Sequence, residues 1–144
     1  HAKHKTYRYL IYNDDFMNPL YNHNAYYIHK PLDIDKMNLA VPHMIGEHDF
    51  LAFSTQGSSV SSTTRTIYNI DIEQRDHLVQ ITVTGDGFLY NMVRIIVGAL
   101  IQVGLGFYEP EYIKTIISSK DRSLAKRVAP AKGLTLMDIQ YEEK

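Results

Sequence analysis

The chain has 144 residues, 44% of them hydrophobic and 22% charged, with 15 Lys+Arg against 16 Asp+Glu. That is one-domain length with enough apolar surface for a core, so a single domain over residues 1–144 is expected. The absence of cysteine excludes disulfides, thiolate zinc sites and cysteine nucleophiles, and the net charge of −1 excludes a uniformly basic nucleic-acid coat while allowing a local basic patch. Eleven tyrosines and no tryptophan enrich the chain in amphipathic stacking residues. No stretch near His1 has the organisation of a signal peptide, and a piece of a longer protein is the plain reading. The longest apolar run, Met92 to Val103, carries Arg94 and Gln102 and is too short to span a bilayer.

Lys5 to Tyr12 (KTYRYLIY) is rich in β-formers and predicts a strand, with Lys5, Tyr7, Tyr9 and Ile11 on one face and Thr6, Arg8, Leu10 and Tyr12 on the other. Ala25 to His29 reads as a second, short strand. Pro31-Leu32-Asp33 then opens a helix capped by Asp33, with Met37, Leu39, Ala40 and Met44 as its apolar side and Gly46 as its stop. Thr55 to Thr64 (TQGSSVSSTT) is a polar loop inserted between apolar segments. Arg65–Glu73 and His77–Thr84 alternate as an antiparallel pair around a Gln74-Arg75-Asp76 turn, and Gly85-Asp86-Gly87 is a sharp break. Tyr90 to Val103 is helical and bounded by Gly104 and Gly106. Pro110 to Ser119 is a further helix, and Leu134 to Tyr141 closes as a strand. Strands and helices mix without βαβ spacing, which predicts an α+β fold on a mostly antiparallel mixed sheet packed by helices.

Arg94 is the strongest anomaly, a guanidinium in a helix that is apolar nearly all round. Since it cannot lose its proton, burial calls for a carboxylate or phosphate partner. A structural ion pair or a side chain snorkelling from the first turn stands against an arginine at the edge of a site. Tyr7 and Tyr9, with Arg8 and Lys5 beside them, suit base stacking and phosphate contact, or equally a core face with its hydroxyls at the rim. His48-Asp49 pairs a base with a carboxylate, but neighbours on a strand point apart, and a turn explains Asp49 better. The seven histidines show no metal-ligand spacing, and no nucleotide-binding glycine fingerprint occurs.

KTYRYLIYN from Lys5, GEHDFLAF from Gly46, TRTIYNI from Thr64, GDGFLYNMVRIIVGALIQVGLG from Gly85 and APAKGLTLMDIQY from Ala129 occur in the order of one family. Together they resemble the C-terminal half of the tRNA pseudouridine synthase A family, over essentially the whole chain. The resemblance implies an enzyme that isomerises uridine to pseudouridine in the anticodon stem-loop of tRNA, with no cofactor. An aspartate nucleophile acts on the nucleotide, the glycosidic bond breaks, and the base rejoins the ribose through carbon. It implies that Tyr7 stacks on the flipped base, that Arg94 pairs with the catalytic aspartate, and that Phe88, Tyr90 and Asn91 line the same cleft. No Arg-Thr-Asp-Ala-Gly-Val-like motif occurs in the 144 residues, so the nucleophile is expected upstream of His1 and the chain alone is expected to be inactive.

The implied fold is two related α+β halves that join their sheets around a basic cleft, in a cytoplasmic homodimer whose protomers share the tRNA. Between Gly87 and Thr135 seven basic residues (Arg94, Lys114, Lys120, Arg122, Lys126, Arg127, Lys132) face three acidic ones (Glu109, Glu111, Asp121). A non-catalytic RNA-binding module of the same fold is the alternative reading.

Overall fold

The computed structural model describes residues 3–55 and 60–141. The middle of the Thr55–Thr64 loop therefore lies outside the described residues. The elements run β1 (Lys3–Asn13), β2 (Tyr26–Ile28), α1 (Ile34–Ala40), β3 (Gly46–Asp49), β4 (Thr64–Arg75), β5 (Leu78–Gly85), α2 (Met92–Gly104), α3 (Tyr112–Ser119) and β6 (Leu134–Tyr141). Short 3-10 turns join several of them.

The strands form one six-stranded sheet organised around β1. One edge of β1 pairs antiparallel with β5, from Lys5 opposite Gly85 to Tyr12 opposite Leu78. Its other edge is shared. β6 takes the first part antiparallel, from Lys3 opposite Tyr141 to Tyr9 opposite Leu134, and β2 takes the last part parallel, from Ile11 opposite Tyr26. β4 and β3 continue the antiparallel order beyond β5. The sheet is thus mixed but mostly antiparallel, as the alternating segments predict.

Period-two alternation decides which face is covered. Tyr9, Ile11, Val79, Ile81 and Val83 are buried and join the apolar residues of the helices in one core. The facing residues Thr6, Arg8, Thr82 and Thr84 are only half-buried, and the Thr6 and Thr84 hydroxyls meet at 3.0 Å. α2 is the central helix: Met92, Ile95, Ile96 and Leu100 are fully buried. Its length and composition allow no other solution, because a helix apolar on nearly every side must be enclosed.

Several local expectations need correction. Leu39 is not on the apolar side of α1 but 63% exposed, whereas Met37, Ala40 and Met44 are buried. α1 stops at Ala40, and Pro42 lies in the 3-10 turn Val41–His43. The β4–β5 turn is two residues, Asp76-His77, with Arg75 opposite Leu78; Asp76 takes φ 53°, the left-handed conformation such tight hairpins demand. α2 begins at Met92 rather than Tyr90, because Asn91 sits at φ 61° and ends the preceding turn. α3 begins at Tyr112, two residues after Pro110.

Gly98 shows how tightly α2 is enclosed. A Cβ there would collide with the backbone carbonyl of Arg127, which cannot swing away as a side chain could. Gly98→Ala is therefore expected to destabilise the fold by about 3 kcal/mol, the upper end of overpacking costs, measured as a shift in the urea midpoint.

Candidate functional site

Three elements meet where the N-terminus of α2 reaches the β1–β6 edge of the sheet. β1 brings Lys5 and Tyr7, the turn after β5 brings Phe88, Tyr90 and Asn91, and α2 brings Arg94 from its first turn. With Leu134 they line a cleft of about 250 Å³. The turn is held in place by its own backbone. Asp86 N–H donates to the Thr66 carbonyl, the Asp86 carboxylate accepts from Thr66 N–H, and Gly85 passes so close to Thr66 that a Cβ would clash. That is why the sharp break at Gly85-Asp86-Gly87 precedes the helix.

Opposite Tyr7 the β1–β6 register steps from Asp138 to Leu136, leaving Met137 as an extra residue. Such a bulge bends the strand and re-aims the side chains beside it. The Tyr7 ring is half-buried and meets Phe88 edge-on, with centroids 5.4 Å apart and planes at 83°. Tyr90 is 65% exposed at the cleft mouth. Tyr9, two residues along, behaves differently. It is fully buried, and its hydroxyl donates to the Pro130 carbonyl. The two tyrosines that share a face thus divide into one at the cleft and one in the core.

Arg94 is half-buried, and its partners are neutral. Its Nε donates to the Ala129 carbonyl at 2.8 Å, and one Nη donates to the Asn91 side-chain carbonyl at 2.9 Å. The sequence-based expectation that burial requires an anion is corrected here. The head group reaches the cleft from the first turn, and among the described residues no carboxylate pairs with it. A guanidinium has five N–H donors, so these two bonds fix its plane and leave others, with the full positive charge, for a further acceptor. The Ala129 N–H donates back to the Arg94 carbonyl at 3.1 Å, which ties the segment leading to β6 to the helix. Asn91 is held in turn by its left-handed backbone and by a 3.3 Å hydrogen bond from its amide to the Thr55 hydroxyl.

The cleft-lining residues include two cations, Lys5 and Arg94, and no carboxylate. The other basic residues of the last third do not gather there. Lys120 lies 3.7 Å from the Asp49 carboxylate, Lys132 donates to the Asn22 carbonyl, and Arg122 donates to the Ala125 carbonyl. His48 and Asp49 do not act together. The imidazole meets the Ile45 carbonyl, while Asp49 accepts from Leu51 N–H and the Thr63 hydroxyl. The Thr63 bond, followed by the Leu51 N–H and the nearby Lys120, holds the Asp49 carboxyl below the usual range. Among the described residues no three His, Asp or Glu side chains are grouped to hold a metal, and no helix is long and apolar enough to cross a membrane.

The cleft thus combines aromatic walls with two cations, and its lining residues include no acid. The tRNA pseudouridine synthase family matches residues 40–142, and the chain belongs to that family. It is 46% identical over 140 residues to a tRNA pseudouridine synthase A of Acetivibrio thermocellus and 49% identical to that of Bacillus sp. strain KSM-64, each match covering 97% of this chain and 57% of the relative. A tRNA pseudouridine synthase A 2 of Clostridium tetani is 47% identical over 95% of this chain. The chain thus spans a little over half the length of these relatives.

Burial raises the Tyr9 phenol well above its ordinary pKa of 10.0, reinforced by nearby Tyr26 and opposed by the Arg94 charge. A group whose folded pKa lies above its unfolded one contributes stability that is full below the unfolded value and lost as pH rises through the folded one. Tyr9→Phe should therefore lower stability at pH 7, where the Pro130 carbonyl loses its donor, yet show a shallower decline above pH 10 (from the unperturbed tyrosine value). Urea titrations at a series of alkaline pH values measure this. Parallel curves for the two proteins would contradict it.

Proposed function

We propose that this chain forms part of a tRNA pseudouridine synthase that converts uridine to pseudouridine in the anticodon stem-loop, without a cofactor. The observation that carries the proposal is Arg94, held in plane by neutral acceptors beside Tyr7 in a cleft lined by no carboxylate. In this reading an aspartate from the remainder of the protein enters the cleft and is gripped by the free edge of Arg94. A planar pair of N–H donors orients a carboxylate as a point charge cannot. Tyr7 stacks on the extruded uracil and recovers part of the unstacking energy. Phe88 backs the Tyr7 ring, Tyr90 lies at the mouth, and Asn91 steers Arg94. The intact protein acts in the cytoplasm as a homodimer whose protomers share one tRNA.

The carboxylate must then come from outside this chain. The purified 144-residue chain is expected to release no tritium from uridine-labelled tRNA. Turnover above the no-protein background would require a nucleophile among the acids present and would overturn the reading that the aspartate enters from the remainder of the protein.

In the intact enzyme, Arg94→Lys is expected to reduce turnover about a hundredfold with tRNA affinity nearly unchanged, because the carboxylate is misplaced rather than the RNA lost. Tyr7→Ala should forfeit about 1–3 kcal/mol of stacking, whereas Tyr7→Phe keeps tRNA binding. Steady-state kinetics and filter binding on the three variants separate these effects. Equal turnover of Tyr7→Ala and wild type would return Tyr7 to a purely packing role.

A further inference from the structure

Arg94, Gly98 and Gln102 recur every four residues and form one stripe along α2. The chain from Arg127 to Ala129 lies on that stripe. Ala129 is bonded to Arg94, the Arg127 carbonyl packs against Gly98, and the Arg127 Nε donates to the Gln102 side-chain carbonyl at 2.7 Å. One Arg127 Nη donates to the Tyr26 hydroxyl, also at 2.7 Å. The guanidinium at this end is therefore held as Arg94 is at the other, by neutral acceptors that fix its plane and leave its charge unpaired among the described residues.

Arg127 borders a second groove, of about 320 Å³, shared with Tyr26, Tyr27, His29, Lys30 and Phe107. Among the described residues no acid lines it. Lys30 and His29 are exposed, and the Phe107 ring is 62% exposed. A fixed cation, Arg127, and a flexible one, Lys30, beside the exposed Phe107 ring and two half-buried tyrosines are the combination that holds a phosphodiester and stacks its base. Eight residues of helix place this groove about 12 Å from Arg94 along the axis of α2.

We propose that this groove is a second RNA-binding site, in which Arg127 and Lys30 hold a backbone phosphate of the same RNA whose reacting nucleotide sits at Tyr7. This rests on the tRNA reading above. The guanidinium is pre-ordered, so binding the phosphate costs little side-chain entropy, and the aromatic faces tolerate any base. The groove anchors the RNA without reading its sequence.

The test is binding of the anticodon stem-loop to the intact enzyme across a range of KCl concentrations, comparing wild type with Arg127→Gln and Lys30→Gln. Each variant is expected to bind roughly ten-fold more weakly at low salt and to reduce the slope of log affinity against log salt by about 0.7–0.9. Lys30 is exposed, so its variant carries the test if Arg127→Gln lowers the melting temperature. Unchanged affinity and slope in a folded variant, with wild type binding normally, would overturn this site alone. Loss of the difference in millimolar inorganic phosphate at constant ionic strength would assign the groove to a free anion and also overturn it. Failure of wild type to bind the stem-loop would overturn the tRNA reading and this site with it.

Discussion

A positive charge held by neutral oxygen atoms is the constraint on which the site depends. Arg94 could have been satisfied by an acid within its own fold, and its charge would then have been spent there. Instead a backbone carbonyl at Ala129 and an amide at Asn91 fix its orientation while leaving its electrostatic attraction intact. Much else can be traced to this arrangement. The reciprocal bond between Ala129 and Arg94 ties the approach to β6 to the first turn of α2, and the enclosed helix behind it cannot shift without opening the core. The cost of leaving a charge without an anion is kept modest by its position at the cleft edge, where water still reaches it.

Tyr7 and Tyr9 show how one strand face can serve two purposes. Both point toward the helices, but Gly133 leaves room for the Tyr9 ring, where a Cβ would collide with it, and Tyr9 closes over Pro130. Tyr7 sits at the bulge, with Phe88 on one side and open space on the other. The buried ring fixes the strand, and the strand presents the other ring.

Much of this was legible in the residues, for physical reasons that differ by element. The alternation in β5 was readable because one face is covered and the other is not, whereas in β4 a register slip between Ile67 and Asn69 leaves Ile67 and Ile70, three residues apart, both buried. α2 was readable because a charge stands out in an apolar run, and Phe88 to Arg94 come together because they are adjacent along the chain. What could not be read were contacts made by backbone groups distant in sequence. The Ala129 carbonyl carries no side-chain signal, and Tyr26 meets Arg127 across 101 positions. Composition counted Arg127 only as one base among seven, and that count misled, since those side chains are dispersed over several surfaces rather than gathered at the cleft. Leu39 faces outward because it lies two residues from Met37, on the opposite side of the helix from the buried Met37, Ala40 and Met44.

The central position of β1 also has a kinetic side. It leaves the ribosome before every strand it pairs with, and its far edge is shared by β2, which arrives soon after, and β6, which arrives last. The Tyr9–Pro130 bond joins residues 121 positions apart. Contacts of such separation close large loops and slow folding, so the β4–β5 hairpin and α2 can organise while β1 still lacks its β6 partner. The cleft, built on β1, the turn after β5 and the approach to β6, then takes its shape only when β6 docks on β1. A nascent or truncated chain that has not reached β6 would display a half-formed sheet edge, the sort of surface that chaperones hold.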